Sequence, residues 1–152
     1  MKTRLINTLI VFIIAFLATS VQAQSQVEDE IRETVLNGYV NGAFNALNPE
    51  AMGETFHEEF AIFSTDGENL NRYPIANWIQ NTAAQKNHPN FDPADNVWDH
   101  SFSSVDVTGN SAMVKLELFH EGNHVFTDYL SLLKFNEGWK IVAKVFTQHK
   151  PG

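Results

Sequence analysis

The stretch VDVTGNSAMVKLELFHEGNHVFTDYLSLLKFNEGWKIVAKVF, Val105 to Phe146, decides the fold. It contains three turn signals, Thr108-Gly109-Asn110, Glu121-Gly122-Asn123 and Asn136-Glu137-Gly138, each with a Gly or Asn able to take positive φ. Between them apolar residues recur at every second position. This spacing predicts four strands in an antiparallel meander. If the turns set the registers, one face carries Ala112, Val114, Leu116, Leu118, Val125, Tyr129, Leu133, Trp139, Ile141, Ala143 and Val145. That face is almost wholly apolar and is expected to pack on helices, because a sheet buries one continuous apolar face. The other face then holds Met113, Lys115, Glu117, Phe126, Asp128, Leu130, Leu132, Lys144 and Phe146, with Lys115 opposite Asp128. Its apolar groups are too large and too many for open solvent, which makes it an expected interface with a second copy of the chain.

Upstream, the pattern changes from period 2 to helical spacing. Ser25-Gln-Val-Glu28 has the form of a capping box, and Val27, Ile31, Val35, Leu36, Tyr39, Val40, Ala43, Phe44 and Leu47 recur at three- and four-residue intervals. A long amphipathic helix is predicted. Asn48-Pro49 ends it and opens a short second helix carrying Met52 and Phe56. Ala61 to Thr65 and Asn69 to Tyr73 form a hairpin pattern around Asp66-Gly67. Pro74 opens a third helix with Ile75, Trp78 and Ile79 on one face, and Lys86 to Asn96 is a long loop. Helices followed by a curved antiparallel sheet imply an α+β domain with the helices on one face.

Residues 1–23 carry three marks of an export signal: Lys2 and Arg4 at the start, an apolar run from Leu9 to Leu17, and the small-x-small site Val21-Gln22-Ala23. The expected product is a single domain over residues 24–152, periplasmic or secreted, and free of the membrane once the signal is removed. Ten basic residues stand against 18 acidic ones, for a formal net charge of −8. Nucleic acid and anionic membrane surfaces require a basic footprint, so both are excluded as partners. The chain has no Cys, which excludes thiol chemistry and disulfides.

The closing segment, Phe126 to Lys134 and Gly138 to Lys144, resembles the family described as "Putative lumazine-binding" within the nuclear-transport-factor-2-like (SnoaL-like) superfamily. The order helix, helix, hairpin, helix, meander is also that of this superfamily. The resemblance implies a cone-shaped curved antiparallel sheet with helices packed on its concave face, and a cavity between them that holds a small apolar or aromatic molecule. Residues able to line that cavity are Tyr39, Phe44, His57, Phe63, Trp78, Trp98, His100 and Tyr129, with Phe56 and Phe102 as further aromatics.

Three roles follow from the resemblance. The first is an exported, noncatalytic small-molecule-binding protein. The second is a pocket acid–base enzyme. A ketosteroid-isomerase-like site would use Asp99 or Asp106 as base and Tyr39 as donor, and a polyketide-cyclase-like site would use His100. The third is a noncatalytic dimeric scaffold whose cone is filled by its own side chains. No cofactor motif is present. His120 and His124 flank one turn and His57 precedes Glu58-Glu59, but neither group supplies the three or four ligands of a zinc site, so no metal is expected.

Overall fold

Residues 22–150 are described by the computed structural model, so the expected export signal, apart from its last two residues, lies outside the described part. The first helix, α1, is α-helical over residues 22–34 and continues as a π-helical segment, Val35–Asn45. It is already helical before Ser25, so that residue does not cap it. The apolar stripe read from the sequence is the buried one: Ile31, Val35, Tyr39, Val40, Ala43 and Leu47 are all buried. The change of winding follows the Thr34 hydroxyl, which donates to the Glu30 carbonyl at 2.8 Å, a side-chain bond that competes with the helical ladder and bends it. Gly38 then lets α1 meet the next helix closely, since a Cβ there would fall 2.0 Å from Thr55 Oγ1. Leu47 closes the helix at φ 46°, and Asn48 caps α2 (Pro49–Thr55), its side-chain oxygen accepting from the Glu50 and Ala51 amides at 3.1 and 3.3 Å. Phe56, expected inside this helix, instead ends it and begins the first strand.

The strands are β1 (Phe56–Asp66), β2 (Asn69–Pro74), β3 (Trp98–Thr108), β4 (Ser111–His120), β5 (Asn123–Phe135) and β6 (Gly138–Gln148), with α3 (Ile75–Lys86) between β2 and β3. The three meander turns fall where the sequence puts them, with Gly109, Gly122 and Gly138 all at positive φ. The six strands form one curved sheet in the order β2-β1-β6-β5-β4-β3. Every neighbouring pair is antiparallel except β1 and β6, which run parallel, so the sheet is mixed. α2 packs on β1 and β6, α3 on β1 and β2, and the π-helical segment touches β3.

Two bulges correct the expected faces. Leu118 pairs with Phe126 and Phe119 with His124, leaving Val125 as an extra residue in β5. Leu132 pairs with Ile141 and Ser131 with Ala143, leaving Val142 as an extra residue in β6. Each extra residue reverses the inward–outward alternation beyond it. As a result Phe126, Asp128, Leu130 and Leu132 face the helices, and so do Lys144 and Phe146. Tyr129, Leu133 and Val145 face outward and are 38%, 40% and 50% exposed. Lys115 pairs with Tyr129, not Asp128. Ala112, Val114, Leu116, Leu118, Trp139 and Ile141 lie inside as expected.

Candidate functional site

The bulges bring two charges into the interior, where α1 supplies a phenol. The Tyr39 hydroxyl donates to Asp128 Oδ2 at 2.5 Å, and Lys144 Nζ donates to the Tyr39 oxygen at 2.5 Å. Lys144 Nζ also lies 2.9 Å from Asp128 Oδ1 as an ion pair, off the alignment of a hydrogen bond. Tyr39 and Asp128 are completely buried and Lys144 is 4% exposed. Burial among apolar groups lowers the Lys144 pKa, and the Asp128 carboxylate opposes that shift. Burial, then the charge of Asp128, raises that of Tyr39, which stays a proton donor throughout the physiological range.

Five rings surround the ammonium: Phe146 at 4.9 Å from Nζ, Tyr39 at 5.1 Å, Phe126 at 5.5 Å, and Phe44 and Trp78 at 5.8 Å. Phe44, Trp78, Phe126 and Phe146 are themselves only partly buried, so the cage has an accessible rim. Trp98 extends this rim, stacking on Phe126 at 6.0 Å and meeting Phe44 edge-on at 5.1 Å. Its position is fixed from α1: the Asn45 side-chain oxygen accepts from the Trp98 amide at 2.6 Å, and Asn96 donates to the carbonyls of Phe44 and Asn45.

The structure brings together Tyr39, Phe44, Trp78 and Trp98 from the sequence-derived set. The other four lie elsewhere. Phe63 lines an open outer groove with Leu70 and Val145. Tyr129 is on the outer face beneath Lys115, its register moved by the Val125 bulge. His57 stacks on Phe135 at 4.9 Å and accepts from the Glu59 amide, and His100 is exposed beside Phe102. Asp99 and Asp106 are exposed, so neither is the interior carboxylate. His120 stacks on Trp98 whereas His124 stacks on Phe119, one on each side of the sheet, and they cannot share a metal across their turn. Asp128 and Lys144, the charged pair of the site, were not paired by the registers expected from the sequence, which set Lys115 opposite Asp128 on the outer face and Lys144 one strand further on. Their signal was an opposite-charge pair on one face of adjacent strands, present in the pattern but read on the wrong side.

The family model described as "Putative lumazine-binding" matches residues 26–147. Solved structures with the same fold include a protein of unknown function from Shewanella baltica OS155, at 24% identity and TM-score 0.66, covering 83% of this chain and 96% of that one. Another, from Silicibacter pomeroyi DSS-3, has 21% identity and TM-score 0.65, covering 83% and 98%. A third, from Methylobacillus flagellatus KT, has 30% identity and TM-score 0.59, covering 80% and 91%. All three are described as NTF2-like proteins of unknown function. A search of curated proteins finds no match. With its helices, its curved six-stranded sheet and this match over most of its length, the chain belongs to the putative lumazine-binding family of NTF2-like proteins.

Proposed function

We propose that the chain binds a small, planar apolar or aromatic molecule bearing an acceptor oxygen, with its ring among Trp78, Trp98, Phe44 and Phe126 and its oxygen on Lys144. The observation that supports this most is the ammonium held inside an aromatic cage. Nζ carries three protons, and among the described residues its polar neighbours are Tyr39 and Asp128, which leaves one proton for a ligand. A buried ion pair adds little stability compared with apolar side chains of the same size, so a cage built around one fits a recognition role. Few polar groups set in an apolar, aromatic wall is the usual make-up of a small-molecule site.

The test is quenching of tryptophan fluorescence by two probes, lumazine and 2-naphthoate. Saturable quenching is expected for at least one, weakened at least about tenfold in the double variant Asp128→Asn/Lys144→Met. Unsaturable quenching by both in the wild type rejects binding and favours the filled scaffold. A second reading rests on the Lys144–Tyr39–Asp128 hydrogen-bond chain, which has the parts of an acid–base enzyme. Isomerisation of a β,γ-unsaturated cyclic ketone, lost in Tyr39→Phe, would establish it.

Two further elements complete the proposal. The chain is exported after cleavage near Ala23, as mass spectrometry of the product's amino terminus would reveal; an intact terminus on a membrane-retained product rejects this. It also pairs with a second copy through the outer sheet face, where Met113, Tyr129, Leu133 and Val145 are exposed and Lys115 and Asp106 supply opposite charges for a twofold contact.

A further inference from the structure

We propose that His124, Thr127 and His149 form a divalent-cation site on the outer face of the sheet, at the end where β5 begins and β6 finishes, and that it prefers Cu²⁺. The Val125 bulge creates it. Residues three apart in a strand normally point to opposite faces, and the extra residue returns His124 and Thr127 to the same one. The chain beyond β6 is held in place by the His149 amide, which donates to the Val125 carbonyl at 2.8 Å.

Three side chains and one carbonyl come together here. His124 Nε2 lies 3.1 Å and His149 Nε2 2.9 Å from the Thr127 hydroxyl oxygen, so both ring nitrogens meet at that oxygen. The Phe126 carbonyl oxygen is 3.1 Å from His124 Nε2. In a coordination sphere with bonds of about 2.0–2.1 Å, donors at right angles to one another stand about 2.9 Å apart, which is close to these separations. The two rings are 3.9 Å apart between centroids and tilted by 30°, so the imidazoles lie side by side. Among the described residues no group of three or more His, Cys, Asp or Glu could hold an ion, so this set must be completed by oxygens and water. Two imidazoles with hydroxyl, carbonyl and water oxygens suit the tetragonal geometry of Cu²⁺, which also heads the affinity order for such donors. Its side chains lie on the face opposite the interior cage, and Phe126 joins the two, with its carbonyl beside His124 and its ring beside Lys144.

The untagged protein is titrated with CuCl₂ by calorimetry and followed by electron paramagnetic resonance. One Cu²⁺ per chain is expected, its spectrum showing coupling to two imidazole nitrogens. Losing even an outer-shell partner of a ligand costs about 10–100-fold in affinity, so His124→Ala and His149→Ala should each weaken binding at least about tenfold and leave one coupled nitrogen. His88→Ala, in the loop after α3, should change neither reading. Substoichiometric binding, or binding that survives both substitutions in chains with wild-type circular dichroism, overturns the proposal.

Discussion

Lys144→Met is the most informative single change, because it removes one charge of a buried pair without opening a cavity. The methionine chain is close in volume to the lysine stem and keeps the packing against Phe44, Phe126 and Phe146. What is lost is the attraction between Nζ and Asp128 Oδ1 across 2.9 Å, about 6 kcal/mol at an effective dielectric of about 20. The variant no longer has to desolvate an ammonium, which offsets part of this loss. It does leave Asp128, 0% exposed, with only the Tyr39 hydroxyl as partner. Breaking such a pair from one side costs about 3–5 kcal/mol, a large part of the ~5–15 kcal/mol that holds a domain together. Adding Asp128→Asn removes the stranded charge, so the double variant should recover most of the loss, with a coupling of at least about 2 kcal/mol. Urea unfolding followed by tryptophan fluorescence measures all four corners of the cycle, since Trp78 sits against the cluster. A loss below about 1 kcal/mol for Lys144→Met, with no coupling to Asp128→Asn, would refute a buried ion pair.

Three other expectations follow from the same geometry. Gly38→Ala should cost about 1–3 kcal/mol in thermal or chemical melts, because the new methyl would meet Thr55 Oγ1 at 2.0 Å and its backbone-anchored Cβ at 2.1 Å; an unchanged melting temperature would mean that α1 and α2 are not in that contact. Burial holds the Lys144 pKa below its ordinary 10.5, so between those two values the unfolded chain carries more protons and stability rises with pH. The wild type should therefore gain on Lys144→Met as pH climbs towards 10.5 and stop gaining above it, Tyr39 being common to both; a constant gap across that window contradicts the shift. Leu130→Asp should prevent folding, since Leu130 is completely buried, whereas Tyr129→Asp should leave a folded chain that no longer pairs, as light scattering at tens of micromolar would show. A wild type that is monomeric under those conditions removes the outer-face dimer.

The turns, the helix stripe and the order of elements were legible because each rests on local chemistry: Gly and Asn at positive φ, apolar residues at helical spacing, Asn48 ahead of Pro49. The faces of β5 and β6 were not. In β5 both parities are apolar, Val125, Tyr129 and Leu133 on one and Phe126, Leu130 and Leu132 on the other, so alternation alone cannot choose between them. Registers taken straight from the turns put Asp128 outward, where a charge ordinarily lies. A single inserted residue at Val125, and another at Val142, carries no compositional mark, and its effect is seen only when the neighbouring strand fixes the pairing. For the same reason Tyr39, Phe44, Trp78 and Trp98 were found in the sequence, since helix and strand-end positions do not depend on those bulges, while the charged pair they surround was not.

The parallel pairing of β1 with β6 bears on how the chain reaches this structure. β6 is the last strand among the described residues, yet it lies in the middle of the sheet, joining β2-β1 on one side to β5-β4-β3 on the other. The meander can zip locally, hairpin by hairpin, but Phe56 must wait for Ile141 and Phe63 for Val145. Closing loops of that length is slow compared with hairpin formation. Until β6 arrives, the β1–β2 hairpin and its helices have no sheet to join, so a nascent chain lacking those residues presents an unpaired β1 edge together with the apolar side of α1. Stalled or truncated products should therefore aggregate rather than persist as half-domains, and full-length refolding should show a late step that seats the first strand against the last.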